Sequence, residues 1–413
     1  MFLLNPRAAR TAYPADLAAV MNAAQARQSR QWMATWPGLN PGPTPLRELP
    51  DLAGRLGLAS LSVKDESLRS PLGSFKALGA PVALLRDILR RHPGLLPSAV
   101  LAGEHAALLR HHTVISATDG NHGRALAAAA RDVGCPCVIV LHGQVSVERE
   151  QAIAALGARI VRIAGDYDAS VQEAARLARE NGWQVVSDTS YEGYEDIPRD
   201  VMQGYSTLAL EVLEQTGAQA GAFSHVFLQG GVGGLAAGVA SLLWEHHGAQ
   251  RPHLIVVEPA QADCLLQSAM QGAPARATGS VDSVMAGLAC GETSPLAWRF
   301  LQPCVDAFMT VDDREAVQAM RELAQGSDRD IPVLAGESGV AGLAALHRLQ
   351  ASPAQAAALG LDTRSRVLLI STEGATAPDV YAQLIGETAA SVLQRQMAWP
   401  SVGLHQRHTV PSH

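Results

Sequence analysis

The strongest constraint on how this chain folds is a rhythm. Short apolar runs, each bounded by Gly, Asp or Ser, alternate with Ala- and Leu-rich stretches of helical spacing along almost the whole sequence. The runs 114-VISA, 137-CVIVLH, 159-RIVRI, 184-QVVS, 225-HVFLQ, 253-HLIVVE and 366-RVLLIS predict buried strands. Helices are predicted over 76–91, 123–133, 147–156, 168–181, 203–216, 234–247 and 313–325. Strands that lack the alternation of a half-solvated sheet need helices on both faces, so the pattern implies βαβ units and a mostly parallel sheet. With 413 residues the chain makes two domains or one large α/β unit.

Composition narrows the function classes. Net charge is −7 and hydrophobic residues make up 47%, which describes a globular protein with a substantial core and not a nucleic-acid binder. Residues 226–244 carry no charge, but Gln229 and the interleaved glycines break the apolar run, so a strand, loop and helix are expected there and not a membrane span. The five cysteines are odd in number and scattered, and the opening MFLLNPRAARTAYP has too short an apolar run for a signal peptide. A reducing, cytoplasmic compartment is the expectation. The last dozen residues read as frayed.

Of the 32 basic residues only Lys64 and Lys76 are lysine. A chain that uses Arg wherever a positive charge suffices keeps a lysine where an amine is needed, because a desolvated Lys becomes a neutral nucleophile and Arg does not. Lys76 follows Gly73-Ser74-Phe75 at the start of a predicted helix that Ser74 is placed to cap. Lys64 is expected to pair with Asp65 or Glu66.

Other candidates lie where predicted strands end, the edge at which open α/β sheets bind ligands. The turn 229-QGGVGG-234 offers backbone N–H groups and a helix start to a phosphate, and reads equally as a tight turn without a ligand. Glu258, at the end of the next strand, sits where a dinucleotide fold places its ribose acid and keeps a nicotinamide dehydrogenase in view. The turn 118-TDGNHG-123 presents Asp119 as an acid or base and Asn121 as donor and acceptor; an Asx-turn with a helix cap accounts for both equally well. His122 reads as structural. Asp188 is placed to read a substrate ammonium or to stand in a solvated loop, and Ser371 and Thr372 to bond a heterocyclic nitrogen or cap a turn. Cys135 and Cys137 share a strand face without a second pair, so no metal site is expected, and no GxSxG elbow occurs.

In order along the chain, 63-VKDES, 74-SFKALG, 117-ATDGNHGRA, 188-DTSYEGY, 202-MQGYSTLA, 229-QGGVGG, 257-VEPAQADC, 285-MAGLACGE, 335-AGESG and 371-STEG resemble the fold-type II pyridoxal-phosphate enzymes, the tryptophan synthase β and threonine dehydratase group. Within that group the resemblance is to the diaminopropionate ammonia-lyases. It implies two parallel-sheet α/β domains with the cofactor in the cleft between them, residues 1–97 and 186–413 forming the large one and 98–185 the small one. It implies pyridoxal 5'-phosphate held covalently by Lys76, its phenolic oxygen bonded by Asn121, its phosphate cradled by Gly230, Gly231, Val232, Gly233 and Gly234, and its ring nitrogen faced by Ser371, with Thr372 second. The implied reaction is α,β-elimination of D- or L-2,3-diaminopropionate to pyruvate and two ammonia. Lys76 takes the Cα proton of the L-substrate and Asp119 that of the D-substrate, with Asp119 and Asp188 welcoming the cationic β-group. A small amino-acid substrate and a homodimer, with no nucleic acid and no membrane, complete the expectation. A hydroxy-amino-acid dehydratase on the same fold and a non-catalytic binding module are the remaining alternatives. The family often carries acids after STEG, where this chain has Ala375 and Ala377.

Overall fold

The computed structural model describes residues 1–399, except residues 119, 144, 166 and 220 and the side chain of 168. Among the described residues, eleven strands form two sheets. They are β1 (Phe2–Leu4), β2 (Leu46–Glu48), β3 (Ser60–Asp65), β4 (Val114–Ala117), β5 (Cys137–Leu141), β6 (Arg159–Arg162), β7 (Gln184–Val185), β8 (His225–Gln229), β9 (His253–Pro259), β10 (Ala307–Val311) and β11 (Arg366–Ser371). The larger sheet runs β1-β10-β9-β8-β11-β3-β2, parallel except for the three-residue strands β1 and β2, which close its edges antiparallel. The smaller sheet runs β6-β5-β4-β7 and is parallel throughout, all of it from residues 114–185. Every residue of β4, β5, β8 and β10 is buried, and the first three read in the sequence as apolar runs and not as alternations.

The predicted strands all form. The sequence reading missed β1, β2, β3 and β10: two are edge strands of three residues, and β3, SLSVKD, carries buried polar side chains that hide its strand character.

Helix boundaries bear on the site. The helix expected over 76–91 is two pieces, a 3-10 turn Phe75–Leu78 carrying Lys76 and an α-helix Ala80–Arg91. The Ser74 side chain makes no cap bond; Ser74 instead bridges to Glu373. The helix over 203–216 begins earlier, at Asp196, because Pro198 is tolerated in a first turn. This twenty-residue helix lies directly against the Lys76 turn: a Cβ on Gly204 would stand 2.0 Å from the Leu78 carbonyl oxygen, so only glycine permits the approach. Tyr205, next in sequence, then packs its ring against Phe75 with centroids 4.7 Å apart and planes tilted by 56°, a contact worth about 0.5–1.5 kcal/mol beyond its buried area.

Lys64 is fully buried and pairs with neither Asp65 nor Glu66. Its Nζ donates to Glu211 Oε2 at 2.7 Å, to the Thr44 carbonyl at 2.7 Å and to Gln215 Oε1 at 3.0 Å. Arg69 donates to both oxygens of Glu211 and of Glu66, while Asp65 pairs with Arg47. On a strand, neighbouring side chains face opposite ways, so Lys64 and Asp65 could not meet on one side of β3.

Candidate active site

The carboxyl ends of both sheets converge on one cavity of about 1270 Å³, its open mouth included. The smaller sheet contributes Ala117 at the end of β4, with Thr118, Asn121 and Asp188 from beyond β4 and β7; the larger contributes Gly231 to Gly234 beyond β8 and Thr372 and Glu373 beyond β11. Lys76 enters from its 3-10 turn, whose backbone is tied to β11 by Phe75 N to the Thr372 carbonyl at 3.0 Å.

Lys76 Nζ donates to Asp188 Oδ2 at 2.5 Å and lies 5.3 and 5.8 Å from the ring centroids of Phe75 and Tyr205. Burial alone would favour the neutral amine, but the adjacent carboxylate more than offsets it and holds Lys76 above its ordinary range. Burial likewise opposes ionisation of Asp188, yet Lys76 and then His122 keep it well below the usual carboxylate range. His122 Nε2 donates to the Val186 carbonyl at 2.9 Å, and burial lowers its pKa despite Asp188, so a neutral imidazole packs beside the pair.

Asn121 opens the helix Asn121–Val133, and its Nδ2 donates to Glu373 Oε2. The turn after β8 leads into the helix Gly234–His247, whose first amides no side chain caps. Gly233 has φ +102°, a conformation that favours glycine, and a Cβ there would meet Leu301 Cδ1 at 2.9 Å. Gly230 lies off the wall, and its N–H is spent on the Val257 carbonyl at 2.7 Å. Thr372 lines the cavity whereas Ser371, one residue back on β11, does not; Ser371 Oγ is buried without a partner. Asp119 lies outside the described residues.

Buried polar atoms without partners are unusual in a folded protein and point to a missing ligand when they share a cavity. Here His122 Nδ1, Arg124 Nε and Nη1, Tyr205 OH, Gln229 Oε1 and Glu337 Oε1 all belong to wall residues. An amine, an uncapped helix start behind a glycine turn and the Thr372 hydroxyl on the wall make a donor set that fits pyridoxal phosphate, with an aldehyde, a phosphate and a ring nitrogen.

Comparison with known proteins decides the family. Residues 38–373 match the model of the pyridoxal-phosphate dependent enzymes. The chain belongs to that family. This pyridoxal-phosphate enzyme is 38% identical over 368 residues to the diaminopropionate ammonia-lyase of Escherichia coli K12, covering 88% of this chain and 92% of that one. It is 39% identical over 353 residues to the diaminopropionate ammonia-lyase of Salmonella typhimurium LT2, covering 83% and 87%. Its fold matches the crystal structure of the Escherichia coli enzyme in complex with an aminoacrylate-PLP azomethine reaction intermediate, with TM-score 0.83, 36% identity and coverage of 93% and 96%. The fold is therefore the fold-type II α/β architecture.

Glu258, the acid that kept a dehydrogenase in view, caps a helix instead. Its two oxygens accept from Leu265 N and Leu266 N at 2.8 Å each, and the side chain is fully buried off the cavity wall, out of reach of a ribose. Sequence reasoning assigned no role to Tyr205, Arg124, Glu337 or Glu373. The last two stand inside the stretches AGESG and STEG, but nothing in the sequence says which of their residues face a cavity.

Proposed function

We propose that this enzyme is a diaminopropionate ammonia-lyase, converting D- or L-2,3-diaminopropionate to pyruvate and two ammonia. The observation that carries the reading is that, of two lysines, Lys64 is consumed by the buried Glu211 network and Lys76 faces the cavity between glycine turn and β11. The identity to enzymes of that name over most of both chains supports the substrate.

When bound, pyridoxal phosphate supplies a carbonyl that takes up the substrate amine and a ring that accepts the electron pair left at Cα. Lys76 would hold the cofactor, the amides of Gly231 to Gly234 with Gly230 beneath them would receive its phosphate, and Asn121 would donate to its phenolic oxygen. Of the two hydroxyls at the end of β11, Thr372 lines the cavity and would meet the ring nitrogen, whereas Ser371 Oγ, expected there from the sequence, is buried and unpartnered off the cavity wall. A hydroxyl there leaves the nitrogen largely unprotonated, which suits elimination better than transamination. Lys76 Nζ would take the Cα proton of the L-substrate and Asp119 that of the D-substrate. Asp188 steadies the charge on Lys76 and on the substrate's amines.

We further propose that residues 98–185 are a small domain set into a large one formed by 1–97 and 186–413, and that the protein is a cytoplasmic homodimer. The confinement of the smaller sheet to 114–185 supports the division, and the small, odd number of scattered cysteines supports the compartment. Among the described residues no helix is long and apolar enough to cross a membrane. Purified holoenzyme incubated with each enantiomer of 2,3-diaminopropionate should release pyruvate and ammonia in a ratio of one to two. Intact cofactor with no pyruvate from either enantiomer refutes the assignment.

A further inference from the structure

The cavity contains two carboxylates that the proposed machinery does not use, and they are held differently. Glu373 is fully engaged: Oε2 accepts from Asn121 Nδ2, and Oε1 accepts from Ser338 N at 3.1 Å. Glu337 stands in the turn 335-AGESG, which is pinned to the end of β11 by Gly336 N to the Glu373 carbonyl at 2.8 Å and closed by Gly339 N to the Gly336 carbonyl at 3.0 Å. Glu337 is only 3% exposed, yet its Oε1 has no hydrogen-bond partner. A buried carboxylate oxygen without a donor carries its desolvation cost uncompensated, and a cavity-lining one is compensated by whatever enters the cavity.

The surrounding charges select the sign of that ligand. Glu373 and Glu148 act against ionisation of Glu337, and Arg149 acts for it. Arg124, on the same wall, feels the charge of Glu373. Burial first, and Glu373 second, push Glu337 up to about 7. A cation entering beside it reverses both effects, whereas a neutral hydroxyl brings a hydrogen bond but no charge. Asp188, the remaining acid among the described wall residues, is already paired with Lys76.

We infer that Glu337 determines specificity at this site: it receives the β-ammonium of the 2,3-diamino acid and so selects the diamine over its hydroxy counterpart. This inference rests on the ammonia-lyase reading. It also bears on the elimination. A carboxylate neighbour keeps the β-nitrogen protonated, so as the electron pair released at Cα forms the Cα–Cβ double bond, the Cβ–N pair passes to nitrogen. The group then leaves as neutral NH3, with no proton to be delivered to it.

Two inert ligands test this on the holoenzyme by calorimetry: 2-methyl-2,3-diaminopropionate and 2-methylserine, neither of which has a Cα hydrogen to lose. Glu337→Gln should weaken the diamine at least tenfold and leave 2-methylserine within twofold, and Glu337→Asp should retain part of the difference. Equal weakening of both ligands marks a structural role and overturns the proposal, as does no change in either. If Glu337→Gln does not fold with cofactor bound, Glu337→Asp alone decides, by whether the diamine loses more than 2-methylserine. A wild-type enzyme that forms no pyruvate from diaminopropionate defeats the functional reading; an active wild type whose Glu337 variants fail to discriminate defeats this inference alone.

Discussion

Replacing Asp188 by Asn tests how the structure sets the charge on Lys76. The two side chains meet at 2.5 Å in a largely buried site, with side-chain exposures of 17% and 16%. At an effective dielectric constant of about 20, unit charges at that distance attract by about 7 kcal/mol, from which desolvation of both groups must be subtracted. The net effect of a close opposite charge on a pKa is about 1–3 units, each worth about 1.4 kcal/mol. The sign follows from the causes: burial lowers the Lys76 pKa, Asp188 raises it, and with Asp188 gone burial is left in command. The neighbouring His122 is neutral and does not restore the balance. Cofactor uptake needs the neutral amine, so the rate at which cofactor-free protein takes up pyridoxal phosphate, followed by visible absorbance against pH, reports this ionisation. Asp188→Asn should move the rising limb of that profile about 1–3 units toward acid and speed uptake at pH 8 by about tenfold or more. A variant with native circular dichroism and an unshifted profile refutes the argument that Asp188 governs the proton on Lys76.

Other outcomes follow from the packing. Glu211→Ala strips the buried Lys64 and Arg69 of their shared acceptor, and should cost about 3–5 kcal/mol of stability; thermal unfolding at matched cofactor content should show a clear fall in Tm, and an unchanged Tm contradicts the network's role. Gly233→Ala forces a side chain into φ +102° and against Leu301, a strain of about 1–3 kcal/mol. Pyridoxal phosphate, titrated by fluorescence, should bind about 5- to 150-fold more weakly, whereas native affinity shows that the glycine turn does not shape the phosphate site.

The parts of this molecule that were legible in its sequence are those where one residue type has one plausible use. Lys76 stood out against thirty arginines, and the buried strands announced themselves because all their side chains meet protein. What was hidden depended on direction. β3 looked polar because Lys64 and Asp65 are buried in ion pairs with Glu211 and Arg47, partners on other elements. Glu258 had the right place for a nucleotide ligand and the wrong neighbours, since the amides of Leu265 and Leu266 occupy both oxygens. Ser371 and Thr372 are adjacent and chemically alike, and only the pleat of β11 decides that Thr372 meets the cavity and Ser371 lies behind it. Glu337 could not be singled out from the sequence, because its significance is an unpartnered oxygen, and partners are a property of the fold.

Reductive trapping addresses the central claim most directly. The holoenzyme is treated with borohydride, digested and mapped by mass spectrometry, and the phosphopyridoxyl group should appear on the peptide containing Lys76, with Lys64 and the N-terminal amine unmodified. A label on either of those amines, or none on a protein that retains its visible absorbance, contradicts the account.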